Sequence, residues 1–301
     1  MKRNLLVCAA LLSAFACIAS GCSSKIDQTA EVGTSAEEKS ENIVSTVEEE
    51  TQPVTEEATE PPLLERAKKL LAQNPDTIAY ISVPGTGVDN PVVQTEDNDY
   101  YLNVGFDGMS YRAGTVFMDW RDVFSWKEEE HSENIVLYGH NMADNTMFGS
   151  LRRYRQDLEF YKESPIIKFS SNYKDYNYVI FGLIITSGDS EPPSDDVYAD
   201  PMTWKGFPYW NMEELDDEKH FNYYVDTIKK NNMIENKVDV KFGDDILTLS
   251  TCYSDEDNSR FLIVARRLRD GETEASIKKL VNSEVKTTES SSSETDSSEA
   301  E

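Results

Sequence analysis

Residues 246–268, ILTLSTCYSDEDNSRFLIVARRL, set two apolar, β-branched runs on either side of a short polar turn. Runs of this length and composition, bounded by turn residues, read as buried neighbouring strands. The same signature recurs at IAYISV (78–83), PVVQ (91–94), GTVFMDW (114–120), NIVLYG (134–139), IIKFS (166–170), YNYVIFGLIITSG (176–188) and KVDVKFG (237–243). The run at 176–188 is long enough to bend, and Gly182 is where it would do so. Many short strands with few helices predict a mainly β domain closed, or nearly closed, into a barrel, which disposes of exposed strand edges.

The helices are few. Pro61 and Pro62 suit a helix start, and LLERAKKLLAQ places Leu63, Leu64, Ala67, Leu70 and Leu71 on one face before Asn74 and Pro75 stop it. EKHFNYYVDTIKK (218–230) carries Phe221, Tyr224, Val225 and Ile228 at helical spacing. MFGSLRRY (147–154) predicts a short helix and DNDYYLN (97–103) a turn or short helix. Between Asp189 and Asn211, four prolines predict a long surface loop, a length that in compact domains is functional or disordered.

Charge divides the chain into segments. The whole carries −27: +2 on residues 1–22, −9 on 23–60 and −5 on 282–301, which leaves −15 on 61–281. An acidic domain argues against nucleic acid or an anionic lipid surface as its partner. Residues 23–60 and 282–301 are rich in Glu, Ser and Thr with almost no large apolar side chain, so they read as a solvated tether and a disordered tail around a folded segment at 61–281. Residues 1–22 have the three parts of an export signal: Lys2 and Arg3, an apolar run from Leu5 to Ile18, and the small residues before Cys22. The stretch ASGC resembles a bacterial lipobox, with Ala19 where leucine is usual and Cys22 as the lipidated residue; the alternative is an uncleaved signal anchor. Both readings tether the domain to the outer face of a membrane through its N-terminus.

Three of the four cysteines lie in residues 1–22, so the folded segment keeps Cys252 alone. In an exported protein a single thiol is either a small core residue or a reactive group. A thiol acts as a nucleophile in its thiolate form, which a neighbouring imidazole or guanidinium favours. Of three histidines, His131 sits in a charged loop and His220 at the start of an amphipathic helix, whereas His140 follows strand NIVLYG directly, where a strand end presents a side chain to a cleft. Arg260 begins the strand after the Cys252 turn, so hairpin geometry can return it to Cys252 or pair it with Asp255 or Asp257. No cofactor or metal is expected. The acidic run DEDN lacks the glycine and bidentate glutamate of a calcium loop and reads as a solvated turn.

LTLSTC with Arg260 eight residues after the cysteine, and NIVLYGHNM upstream, resembles the sortases, cysteine transpeptidases of Gram-positive cell surfaces. The segments NPDTIAYISVPGTGVDNPVVQTEDNDYYLN, AGTVFMDWRD and HNMADNTMFGSL, together with a helix before the final strands, resemble class B over about residues 62–269. The resemblance implies an eight-stranded barrel with N-terminal helices. It implies that Cys252 attacks the threonine carbonyl of an NPxT-like sorting signal and forms a thioester, that His140 moves the protons, and that Arg260 steadies substrate backbone and oxyanion. Asn98, Leu102 and Ser250 would line the peptide groove, and Thr251 would adjoin the thiol with its hydroxyl or backbone. The implied partners are a surface protein bearing a C-terminal sorting signal and a peptidoglycan-precursor or pilin amine as acceptor. Departures from the family are the acidic turn YSDEDNS and the lipobox in place of a membrane anchor. Two other readings use the same residues: a cysteine endopeptidase that hydrolyses the thioester, and a non-catalytic lipoprotein that binds peptide or wall polymer.

Overall fold

The computed structural model describes residues 59–195, 199–211, 215–253 and 258–283. The signal segment with Cys22, the tether up to residue 58, the acidic turn at 254–257 and the tail from 284 lie outside the described residues. Eight strands close on themselves: β1 (Thr77–Ser82), β2 (Asp89–Val93), β3 (Phe117–Met118), β4 (Asn134–Tyr138), β5 (Ile166–Ser171), β6 (Asp175–Ser187), β7 (Ile246–Tyr253) and β8 (Ser259–Arg267). Around the barrel the order is β1-β2-β3-β4-β7-β8-β6-β5, with β5 hydrogen-bonded back to β1. Two contacts are parallel, β2 with β3 and β4 with β7, and the rest antiparallel. The parallel β4–β7 contact has a direct consequence for the site: it puts the C-terminal ends of both strands on one rim.

The helices are α1 (Glu65–Leu71), two single turns α2 (Arg153–Gln156) and α3 (Phe160–Glu163), α4 (Glu218–Lys230) and α5 (Glu274–Val281). The helix expected at 218–230 forms over those residues. Asp217 caps it by accepting from the backbone N–H groups of Lys219 and His220, at 3.0 and 3.1 Å, and Phe221, Tyr224, Val225 and Ile228 are all buried. It packs on β6 at Gly182, where the ladder to β8 skips a residue between Ile180 and Gly182. The bend read from the sequence is therefore a β-bulge. A methyl group at Gly182 would collide with the Ile228 side chain, so the glycine is what lets α4 approach. The carbonyl of the bulged residue Phe181 accepts from the side-chain amides of Asn232 (2.9 Å) and Asn236 (2.8 Å), just beyond α4.

One expected strand does not form. Residues 237–243 bury Val238 and Val240 as a strand would, but their backbone groups pair with side chains. The Val238 N–H donates to Asn236 Oδ1 (3.0 Å), the Asp239 carbonyl accepts from Arg266 Nε (2.6 Å), and the Lys241 N–H donates to Asp244 Oδ2 (2.8 Å). With the barrel closed by eight strands, no edge was left for a ninth. Conversely, α5 had not been expected. Thr273 and Ser276 form a capping box and Ile277 and Val281 are buried.

Candidate active site

Topology brings three distant side chains to one rim. In the parallel ladder Tyr138 pairs with Ser250, so the residues that follow, His140 after β4 and Cys252 at the end of β7, emerge side by side. β8 is antiparallel to β7 and starts at this rim, with Arg260 in register opposite Cys252. The thiol is exposed and unbonded. Cys252, His140 and Arg260 line one cleft of about 390 Å³, and all four groove residues expected from the sequence, Asn98, Leu102, Ser250 and Thr251, line it too.

His140 is fixed from both sides. Its ring Nε2 lies 2.8 Å from the Leu102 carbonyl oxygen. A carbonyl only accepts, so Nε2 carries the hydrogen and Nδ1 is the basic nitrogen of the neutral ring. The Phe148 N–H donates to the His140 carbonyl at 3.0 Å, and the Phe148 ring lies so close to Gly139 that a Cβ there would sit 2.7 Å from it. The anchoring segment has its own glycine. Gly114 has φ +60°, and a Cβ there would collide with the Tyr101 and Leu102 carbonyls.

The alternate residues Thr248, Ser250 and Cys252 share a face of β7. Thr248 Oγ1 is 2.6 Å from Tyr224 Oη of α4, and Ser250 Oγ is 2.8 Å from Tyr209 Oη. Buried hydroxyls are thus paired up to the point where the thiol reaches the cleft. Thr251 donates its hydroxyl to the Gly139 carbonyl at 2.7 Å, so that proton is already engaged and the residue offers the cleft its backbone and lone pairs.

The other wall rests on Asp119, a fully buried carboxylate. Arg121 grips it with Nε and Nη2, both at 2.8 Å, and it also accepts from Tyr138 Oη (2.9 Å) and Asn98 Nδ2 (3.0 Å). Burial alone would raise its pKa, but the hydrogen bonds and charge of Arg121 outweigh it and hold the carboxyl below its ordinary range. Burial, with Asp119 nearby, pushes the Tyr138 phenol well up. Arg121 Nη1 reaches Asn211 Oδ1 at 3.0 Å, and the Asn98 oxygen accepts the Trp120 N–H at 3.0 Å. Asn98 is therefore present in the groove with both ends of its amide held.

Arg260 donates from Nη1 to the Ser259 carbonyl at 3.2 Å, and no carboxylate among the described residues pairs with it. Asp255 and Asp257, the partners considered from the sequence, lie outside the described residues. Gly188, unnoticed in the sequence, leaves the room that the guanidinium occupies: a Cβ there would lie 2.9 Å from Arg260 Cζ. Sequence reasoning also missed Asp119, Arg121, Tyr138, Tyr209 and the two rim tryptophans, Trp120 and Trp210. The signals available were the charge interrupting FMDWRD and the aromatic pair after Pro208 in the long loop.

No family model matches the chain. Two relatives do. Sortase B of Listeria monocytogenes is 30% identical over 184 residues, covering 61% of this chain and 65% of that protein. Sortase B of Staphylococcus aureus is 31% identical over 199 residues, covering 65% of this chain and 72% of that protein. Among solved structures, the Staphylococcus aureus sortase B–substrate complex is similar at a TM-score of 0.55 and 29% identity, over 69% of this chain and 87% of that one. With a closed eight-stranded barrel and kinship of this extent in both sequence and structure, the chain belongs to the sortase B family.

Proposed function

We propose that this protein is a cysteine transpeptidase that cuts an NPxT-like sorting signal after its threonine and transfers the surface protein to a cell-wall or pilin amine. The observation that carries the reading is the meeting of an exposed thiol, a histidine held with one nitrogen basic, and a guanidinium in register with the thiol that no carboxylate among the described residues pairs. In the first half-reaction the Cys252 thiolate adds to the threonine carbonyl carbon. The C–N bond breaks as protonated His140 gives its proton to the departing amine, leaving a thioester on Cys252. In the second, His140 takes a proton from the acceptor amine, which attacks the thioester and expels the thiolate. Arg260 donates to the oxygen that gains charge in each tetrahedral state. Asn98, Leu102, Ser250 and Thr251 form the groove for the signal peptide. A relative solved as a sortase B–substrate complex supports this reading.

Residues 61–281 are the catalytic domain in this reading. The N-terminal signal, ending at Cys22 as a lipid site or continuing as an anchor, and the tether to residue 60 hold the domain at the outer face of the cytoplasmic membrane of a Gram-positive-type bacterium. Incubation with a sorting peptide, with and without an amine acceptor, tests the activity. Ligated product supports transfer, cleaved peptide alone identifies an endopeptidase, and binding without turnover identifies a peptide-binding lipoprotein.

A further inference from the structure

The residue after His140 reaches across the rim to the residue it must work with. Asn141 Nδ2 donates to the backbone carbonyl of Cys252 at 2.9 Å. Because that carbonyl can only accept, the amide nitrogen has to face it. The backbone ladder between β4 and β7 pairs its last residues at Tyr138 and Ser250, and the Gly139 N–H still donates to the Ser250 carbonyl at 3.3 Å. Beyond that point two side chains carry the contact: the Thr251 hydroxyl on Gly139 O, and the Asn141 amide on Cys252 O. The second bond ties the nucleophile's own peptide unit to the neighbour of the base.

The other half of the Asn141 amide is unsatisfied. Its Oδ1 is buried and has no hydrogen-bond partner among the described residues. A buried acceptor left unpaired is unfavourable and calls for an explanation, and the donor held on the nucleophile's own carbonyl supplies one. We propose that Asn141 is a positioning residue for the Cys252–His140 pair, retained for its donor to the Cys252 carbonyl at some expense in stability. The proposal rests on the transpeptidase reading for its reaction, but the geometry it describes can be tested without that reaction.

The test follows alkylation of Cys252 by iodoacetamide across pH in the intact protein, read on the Cys252-containing peptide by mass spectrometry, for parent, His140→Ala, Asn141→Ala and Asn141→Leu. Melting temperature and sorting-peptide kinetics are measured alongside. Asn141→Ala should move the pH profile toward that of His140→Ala and lower kcat about 10- to 100-fold, the scale of a misplaced reacting pair, with KM within about twofold. Its melting temperature should be unchanged or raised. Asn141→Leu, nearly the same shape but with neither donor nor charge, should match it and decides the matter if the alanine variant does not fold. A parental alkylation profile in the Asn141 variants, a parental kcat, or a loss of kcat that only tracks a lowered melting temperature overturns the proposal, as does a parent profile indifferent to His140. If the parent acylates no peptide but its profile depends on His140 and Asn141, the transpeptidase reading fails and the positioning role stands.

Discussion

Replacing Asp119 by alanine removes the buried carboxylate on which one wall of the cleft is built. The change leaves Arg121 at a largely buried site without its two-point partner, and it strips an acceptor from Tyr138 and from Asn98. Breaking a buried ion pair by deleting one partner costs about 3–5 kcal/mol, chiefly from the charge left behind. For a domain of this size, 1 kcal/mol corresponds to about 2–4 °C in melting temperature, so the expected drop is about 6–20 °C. Removing both charges, as in Asp119→Leu with Arg121→Leu, should recover much of it, since a matched apolar pair is often no worse than the ion pair. The sign of the pH effect follows from the depressed pKa. Asp119 stabilises the fold fully above its unfolded value, about 3.9, and the contribution disappears as pH falls through its lower folded value, so the parent loses more stability in acid than the alanine variant does. Urea unfolding of the three proteins at neutral and acid pH measures this. A loss below about 1 kcal/mol for Asp119→Ala, or a double variant no better than the single, would refute a buried, tightly coupled pair.

Gly182→Ala drives a methyl group into Ile228 and should destabilise by about 1–3 kcal/mol, the range for overpacking, by prising α4 from β6; chemical denaturation measures it, and a neutral effect would mean that the helix is not seated on the bulge. Arg260→Lys keeps the positive charge but not the two-dimensional fork of donors, and should lower kcat about 10²- to 10³-fold as an oxyanion donor is lost, with little change in melting temperature. Steady-state cleavage assays decide this, and activity within a few-fold of the parent would remove Arg260 from the reaction.

What could be read in advance follows the range of the forces involved. Strand positions and α4 rest on local periodicity, so NIVLYG, ILTLSTC and FLIVARRL appear as β4, β7 and β8, and 218–230 as a helix. KVDVKFG has the same alternation, but whether a strand finds a neighbour depends on closure of the whole barrel and on Asn236, Arg266 and Asp244 capturing its backbone. The cleft divides in the same way. Cys252, His140 and Arg260 are each an ambiguous signal alone, an isolated thiol, a strand-end imidazole and a hairpin partner, and point to a site only when read together and beside the resemblance to the sortases. The Arg121–Asn211 and Asn98–Asp119 bonds, the Tyr209–Ser250 bond and the Gly188 contact with Arg260 join segments tens of residues apart, and no spacing in the sequence announces them.

In the proposed reaction Cys252 is the group that takes up the substrate. Mass spectrometry of the protein after brief incubation with a sorting-signal peptide, without acceptor amine, measures this directly. The expected result is an adduct on Cys252 whose added mass is the peptide up to and including its threonine, absent in Cys252→Ala and discharged on addition of an amine. Full cleavage of the peptide by Cys252→Ala, or an adduct on any other residue, would contradict it.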